Sequence, residues 1–201
     1  MITKIIHEDK IQKAHKYIEK GESFVIVTHV SPDGDAIGSA LGLFHFLNAY
    51  GKENVSVIVP NDYPNFLKWM PGTKDVTIYE KYPEFSEQLI SDADVIFCLD
   101  FNDPKRIEKL ADPVLKSEAR KVLIDHHLHP VEFCNVTMSY PNISSTSEMV
   151  FRFICRMGLF DLIDKNAAEC IYTGMMTDTG AFTYNSNDPE IYTIIEKKKK
   201  L

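Results

Sequence analysis

Four short runs rich in β-branched and aromatic residues, at 23–29, 55–59, 94–100 and 121–125, constrain this chain more than any other feature. A run that stays apolar for five to seven residues, without strict alternation, suits a strand buried on both faces. Between the first two, residues 37–50 read as a helix stopped by Gly51, which makes a β-α-β unit. An opening helix over 8–19 puts Ile11, Ala14, His15 and Ile18 on one face and stops at Gly21. A helix begins at 104–110, residues 134–139 add a short fifth strand, and helices over 147–157 and 165–176 close the series. Ser145 with Glu148 three residues on fits a capping box before the first of these two. The expectation is an α/β fold, a doubly wound, mostly parallel sheet of about five strands with helices on both faces. The proline-rich stretch 60–83 reads as ordered loop, and one domain over 1–201 is the simplest division.

Composition then removes several function classes. With 44% hydrophobic and 25% charged residues, the 201-residue chain can bury a substantial core. No apolar run approaches the roughly 20 residues that span a bilayer, and the N-terminus lacks the apolar stretch of a secretion signal. No membrane partner is expected, and the cytoplasm is the expected location. Cys98, Cys134, Cys155 and Cys170 form no C-x-x-C pair and sit among apolar neighbours, so they read as reduced core residues. A net charge of −7 argues against a long-duplex nucleic-acid binder. Short or small phosphorylated partners remain. The terminal Lys197–Lys200 run reads as a solvated tail without a role.

In a parallel sheet of this kind, function collects beyond the carboxyl ends of the strands. The first strand runs into His29, Asp33 and Asp35, the third ends at Asp100, and the fourth ends at Asp125, His126 and His127. Asp178 follows the last helix. Each cluster alone has an ordinary explanation as a turn, loop or helix cap. Their convergence on one edge is what a polynuclear metal site requires. Four carboxylates, Asp33, Asp35, Asp100 and Asp178, would repel one another in one cleft unless cations neutralise them. Carboxylate and imidazole donors without thiolate favour Mn²⁺ or Mg²⁺ over Zn²⁺ and leave Fe²⁺ and Co²⁺ open. Two such ions suit phosphoester hydrolysis, and Asp125 could orient an imidazole.

The ordered set His29-x-x-x-Asp33-x-Asp35 with Gly38-Ser39, then Asp100, Asp125-His126-His127 and Asp178, resembles the four motifs of the DHH phosphoesterase superfamily. Its spacing is most similar to the bacterial oligoribonuclease and pAp phosphatase (nanoRNase) branch. That resemblance implies metal-dependent hydrolysis of short oligonucleotides or 3′-phosphoadenosine 5′-phosphate (pAp) by a two-metal-activated water. It implies two Mn²⁺ ions, with Mg²⁺ or Co²⁺ as substitutes. His29 and Asp33 would hold one ion, Asp35, His126 and Asp178 the other, and Asp100 would bridge them. His127 would face the substrate phosphate as a catalytic group with Asp125 behind it. Ser39, Ser145 and Thr146 are further substrate-binding candidates, although capping or helix packing explains each as well. His129, His7, His15 and His45 carry no expected role. Members of this branch continue into a smaller substrate-binding domain, expected to be absent from 1–201, and a homodimer is allowed for. The competing readings are a pyrophosphatase or polyphosphatase, a dinucleotide phosphodiesterase, and a non-catalytic metal- or nucleotide-binding module.

Overall fold

Successive strand residues point to opposite faces, and this period of two divides the core into halves. The computed structural model, which describes residues 3–184, 186 and 189–198, contains the strands β1 (Ser23–Val27), β2 (Asn54–Val59), β3 (Val76–Ile78), β4 (Val95–Leu99), β5 (Arg120–Asp125) and β6 (Val136–Ser139). Phe24, Ile26, Val57, Phe97, Leu99, Ile124 and Met138 face one apolar cluster. Val25, Val27, Ile58, Ile96, Cys98 and Leu123 face the other. Burying each large apolar side chain contributes about 1.5–3 kcal/mol, so strands sealed on both faces are the rigid part of the molecule.

The helices are α1 (Glu8–Lys20), α2 (Gly34–Ala49), α3 (Pro83–Ser91), α4 (Ala111–Lys116), α5 (Thr146–Arg156), α6 (Lys165–Asp178) and α7 (Pro189–Lys198). α1, α2, α5, α6 and α7 contribute to the first cluster. Ile90 of α3 and Val114 of α4 contribute to the second. Helices therefore cover both faces. Ile11, Ala14 and Ile18 are the buried stripe of α1, while His15 is only half-buried.

Every strand pairing is parallel, and the spatial order is β3-β2-β1-β4-β5-β6. The doubly wound expectation holds, with six strands rather than about five. The additional strand is β3, inside the stretch read as loop. It is three residues long and half-buried at the sheet edge, too short to display a period. α3, whose proline occupies the first turn, also went unread, as did α7. The helix expected from 104 begins as a 3-10 segment, Pro104–Leu110, interrupted at Glu108 (φ 46°) before α4. Of the Lys197–Lys200 tail, Lys199 and Lys200 lie outside the described residues.

The order reverses between β1 and β4, and a crevice opens there at the carboxyl edge of a doubly wound sheet. The structure puts His29 just past β1 and Asp100 just past β4. One further feature sets the site's depth. Gly34, Gly38 and Gly42 recur every four residues along α2 and let α6 approach closely: a Cβ on Gly38 would lie 2.6 Å from the Cys170 carbonyl oxygen. That approach brings the C-terminal end of α6, with Asp178, beside the N-terminal end of α2.

Candidate metal centre

Asp33 is the N-cap of α2, and its Oδ1 accepts hydrogen bonds from the Asp35 and Ala36 amides at 3.0 Å. Asp35, on the first turn, is completely buried, and its two oxygens accept from the Thr146 amide (2.6 Å) and the Ser147 amide (2.8 Å) at the start of α5. Asp100 has a left-handed backbone, φ 64°, a conformation that costs a non-glycine residue roughly 1–3 kcal/mol and that aspartate tolerates better than most. Its Oδ2 lies 3.4 Å from His29 Nε2 and its Oδ1 3.7 Å from His126 Nε2. One carboxylate thus reaches an imidazole on either side.

The two histidines are oriented in the same manner. His29 Nδ1 donates to the Val30 carbonyl at 2.8 Å, and His126 Nδ1 donates to the Ile143 carbonyl at 3.2 Å. A carbonyl only accepts, so each Nδ1 carries a proton, and each Nε2 is turned toward the acids as the nitrogen a metal would take. His29 Nε2 is also 3.9 Å from Asp33, and His126 Nε2 is 3.9 Å from Asp35 and 3.6 Å from Asp178. His127 differs. Its Nδ1 is engaged with Asp125 Oδ1 at 2.7 Å, and Asp125 Oδ2 accepts the His127 amide at 2.9 Å.

The acids strain against one another. Burial, and then the charges of Asp100 and Asp178, push Asp35 well above the usual carboxylate range, against the opposing pull of its Ser147 hydrogen bonds. Burial also raises Asp178; the neighbouring His126 opposes this, and Asp100 and Asp33 add to it. For Asp100 burial acts upward as well, yet the surrounding His29, His126 and His127 outweigh it and hold the carboxyl low. His29 is the reciprocal case: burial acts downward, and Asp100 overcomes it to raise the imidazole. The Asp125 hydrogen bond raises His127, with burial and the Arg106 guanidinium acting against it.

This donor set fits divalent cations. His29, Asp33 and Asp100 form one group and Asp35, His126 and Asp178 another, each with ligand atoms within 4.8 Å of one another, and Asp100, His126 and His127 form a third overlapping group. The donors are carboxylate oxygens and imidazole nitrogens without sulfur, and positive charge would relieve the repulsion that raises Asp35 and Asp178.

The structure therefore brings together all six expected ligands together with His127 and Asp125. The hydroxyl candidates lie differently. Ser39 is fully buried and its hydroxyl donates to the Ala36 carbonyl at 3.2 Å, turned into α2 with no surface for a substrate. Ser145 caps α5 by accepting the Glu148 amide at 3.0 Å. The capping box closes only halfway, because the Glu148 carboxylate takes Ser144 instead, accepting its hydroxyl at 2.6 Å. Buried Thr146 donates its hydroxyl to Asp100 Oδ1 at 2.9 Å, so it supports an acid rather than facing outward. Sequence reasoning missed three contributors. Ser147 is distant in sequence from Asp35 and carried no local signal. Arg106, in the 3-10 segment after β4, carries a positive charge that is felt at His127. The spacing of Gly34, Gly38 and Gly42 was legible but went unread.

The chain belongs to the DHH family: residues 23–175 match the N-terminal domain of that family. It is 35% identical over 169 residues to the bifunctional oligoribonuclease and PAP phosphatase NrnA of Thermus thermophilus, a match covering 84% of this chain and 47% of that protein. The chain thus spans about half the length of that relative. A crystal structure of an exopolyphosphatase-related protein from Bacteroides fragilis superposes with a TM-score of 0.97 at 59% identity, over 99% of this chain and 58% of that one. Exonuclease RecJ bound to manganese shares the fold at a TM-score of 0.55 and 13% identity, over 95% of this chain and 46% of that one. Among the described residues no helix is long and apolar enough to cross a membrane.

Proposed function

We propose that this chain carries the metal-binding half of a phosphoesterase that hydrolyses short oligonucleotides, pAp, or both, and that it works with two Mn²⁺ ions in the cytoplasm. The observation that carries the reading is the placement of Asp100, whose two oxygens face His29 on one side and His126 on the other. His29, Asp33 and Asp100 would hold one ion, and Asp35, His126, Asp178 and Asp100 the second. Ions bound there supply charge neutralisation, polarisation of a phosphoryl oxygen and an acidified water.

The remaining work falls to the chain's own side chains. Asp125 fixes His127 through Nδ1, which leaves Nε2 as the ring atom available to a phosphoryl oxygen. The Asp125 hydrogen bond raises the His127 pKa, which favours a proton on Nε2 that could pass to that oxygen. Arg106, whose positive charge is felt at His127, would add to the attraction for the same anion. Thr146 and Ser147 hold Asp100 and Asp35 in place from the α5 side.

The similarity to an exopolyphosphatase-related protein supports a second reading, cleavage of a phosphoanhydride in pyrophosphate or polyphosphate. Hydrolysis of pyrophosphate, polyphosphate, pAp and a dinucleotide, each with and without Mn²⁺, separates the two. Mn²⁺-dependent turnover of pAp or the dinucleotide supports the first. Turnover of the anhydrides alone supports the second, and bound metal without turnover of any of the four means a binding module.

A further inference from the structure

The turn at 143–147 touches three of the proposed ligands at once. The Ile143 carbonyl accepts from His126, the Thr146 amide and hydroxyl reach Asp35 and Asp100, and the Ser147 amide reaches Asp35. Whatever sets the position of this turn therefore sets the spacing of both ligand groups. The Ser145 side chain ties it to α5 by one neutral hydrogen bond, next to the helical bond from the Met149 amide to the Ser145 carbonyl.

A second and stronger tie lies behind it. Glu148 Oε2 accepts the Ser144 amide at 3.2 Å and its hydroxyl at 2.6 Å, while Oε1 lies 2.7 Å from both Nε and Nη2 of Arg152. Both side chains are only 1% exposed. Arg152 Nη1 continues to Glu190 Oε2 on α7 at 2.9 Å, and Glu190 Oε1 accepts the Thr3 amide at 2.8 Å and its hydroxyl at 2.5 Å. A buried ion pair is weak evidence for added stability, since an apolar pair of like volume often serves as well, but it fixes geometry.

Resting on the two-metal reading above, we infer that Glu148, Arg152 and Glu190 are positioning residues for the metal centre, holding the 143–147 turn against Asp35, Asp100 and His126 from α7 and the N-terminal segment. Through Glu190, the α7 segment is then part of what sets metal affinity. A matched comparison exists on the same helix. Arg156, one turn further along α5, donates to the Ile6 carbonyl at 2.8 Å and pairs with Glu8, tying α5 to the same N-terminal segment without reaching the turn.

The test compares Arg152→Met, Glu190→Ala and Arg156→Ala with the unaltered chain. Glu190 is the half-buried outer end, so Glu190→Ala folds even where Arg152→Met does not. Mn²⁺ affinity is read by calorimetry. The Thr146 and Ser147 amide proton resonances are read by NMR in the metal-free protein. Loss of a group supporting a ligand typically costs about 10- to 100-fold in metal affinity. Glu190→Ala is expected to weaken Mn²⁺ binding by about tenfold and to shift both amide resonances, because their hydrogen bonds to Asp35 loosen. Arg156→Ala is expected to lower the melting temperature and leave affinity and resonances as they were. If the unaltered chain takes up no Mn²⁺, the metal reading fails, and the resonances alone decide whether the turn is positioned from α7. Resonances and affinity unchanged in Glu190→Ala, or changed equally in Arg156→Ala, would overturn the inference.

Discussion

Adding one methyl group to Gly38 tests whether the close approach of α2 and α6 builds the site. The new Cβ would lie 2.6 Å from the Cys170 carbonyl oxygen, 2.8 Å from the Gly174 nitrogen and 2.9 Å from its Cα. All three are backbone atoms, so no rotamer change relieves the clash. To turn the 2.6 Å approach into an ordinary contact of 3.4 Å, α6 must retreat by roughly 0.8 Å. Overpacking of this kind costs about 1–3 kcal/mol, and alanine returns about 1 kcal/mol through its better helix propensity. A net loss of up to about 2 kcal/mol is expected. The larger effect falls on function, because metal ligands tolerate displacements of only about 0.2 Å and α6 carries Asp178 while α2 carries Asp33 and Asp35. Gly42→Ala is the internal comparison. Its Cβ would meet Ile171 Cγ1 at 2.5 Å, the side chain of a residue that can repack, with the nearest backbone atom 3.7 Å away. Urea denaturation should therefore rank Gly38→Ala below Gly42→Ala, and calorimetric titration should show Mn²⁺ affinity reduced at least tenfold in Gly38→Ala only, about 1.4 kcal/mol. Equal stability of the two variants, with Mn²⁺ affinity retained in Gly38→Ala, would refute the reasoning.

Asp100→Asn should keep the fold, since asparagine also accepts a left-handed backbone, but lose Mn²⁺ binding; His127→Ala should keep the metal and slow turnover by roughly 10²–10⁴-fold. Metal content measured on both variants checks this, and an empty His127→Ala site would mean that the two histidines have exchanged roles. Arg106→Ala should raise KM for pAp or a dinucleotide without changing Mn²⁺ affinity, and an unchanged KM removes Arg106 from substrate binding. Asp35 and Asp178 have folded-state pKa values above the unfolded value of 3.8, so the stability they contribute is fully present below that value and lost as pH rises through their folded values. Mn²⁺ should therefore raise the melting temperature more at about pH 7.5 than at about pH 5, and its binding at the lower pH should release protons. Calorimetry in two buffers of different ionisation enthalpy reads that release, and identical heats would contradict it.

The strands were legible because burial on both faces leaves no choice but a continuous apolar run, as in residues 95–99, where every position is buried. Asp100 and the Asp125-His126-His127 set could be placed at one edge for the same reason: residues that end parallel strands share an edge wherever the strands stand in the order. The sequence did not reveal what lies across the fold from them. Ser145 and Glu148 announced a helix start, but nothing local said that the amides following Ser145 would meet Asp35, 111 and 112 residues away. That meeting also explains how the chain folds with so many acids together. Asp33 caps α2, and Asp35 sits at the start of α5, so each occupies a helix N-terminus, where unpaired amides and the helix dipole favour negative charge. This compensation is only partial. For Asp35 the hydrogen bonds from α5 lower the pKa, yet burial with the Asp100 and Asp178 charges prevails and the carboxyl stays raised. Two helix ends carry the partial positive charge that lets the acids gather, and the excess that they leave uncompensated is what a pair of divalent cations would match.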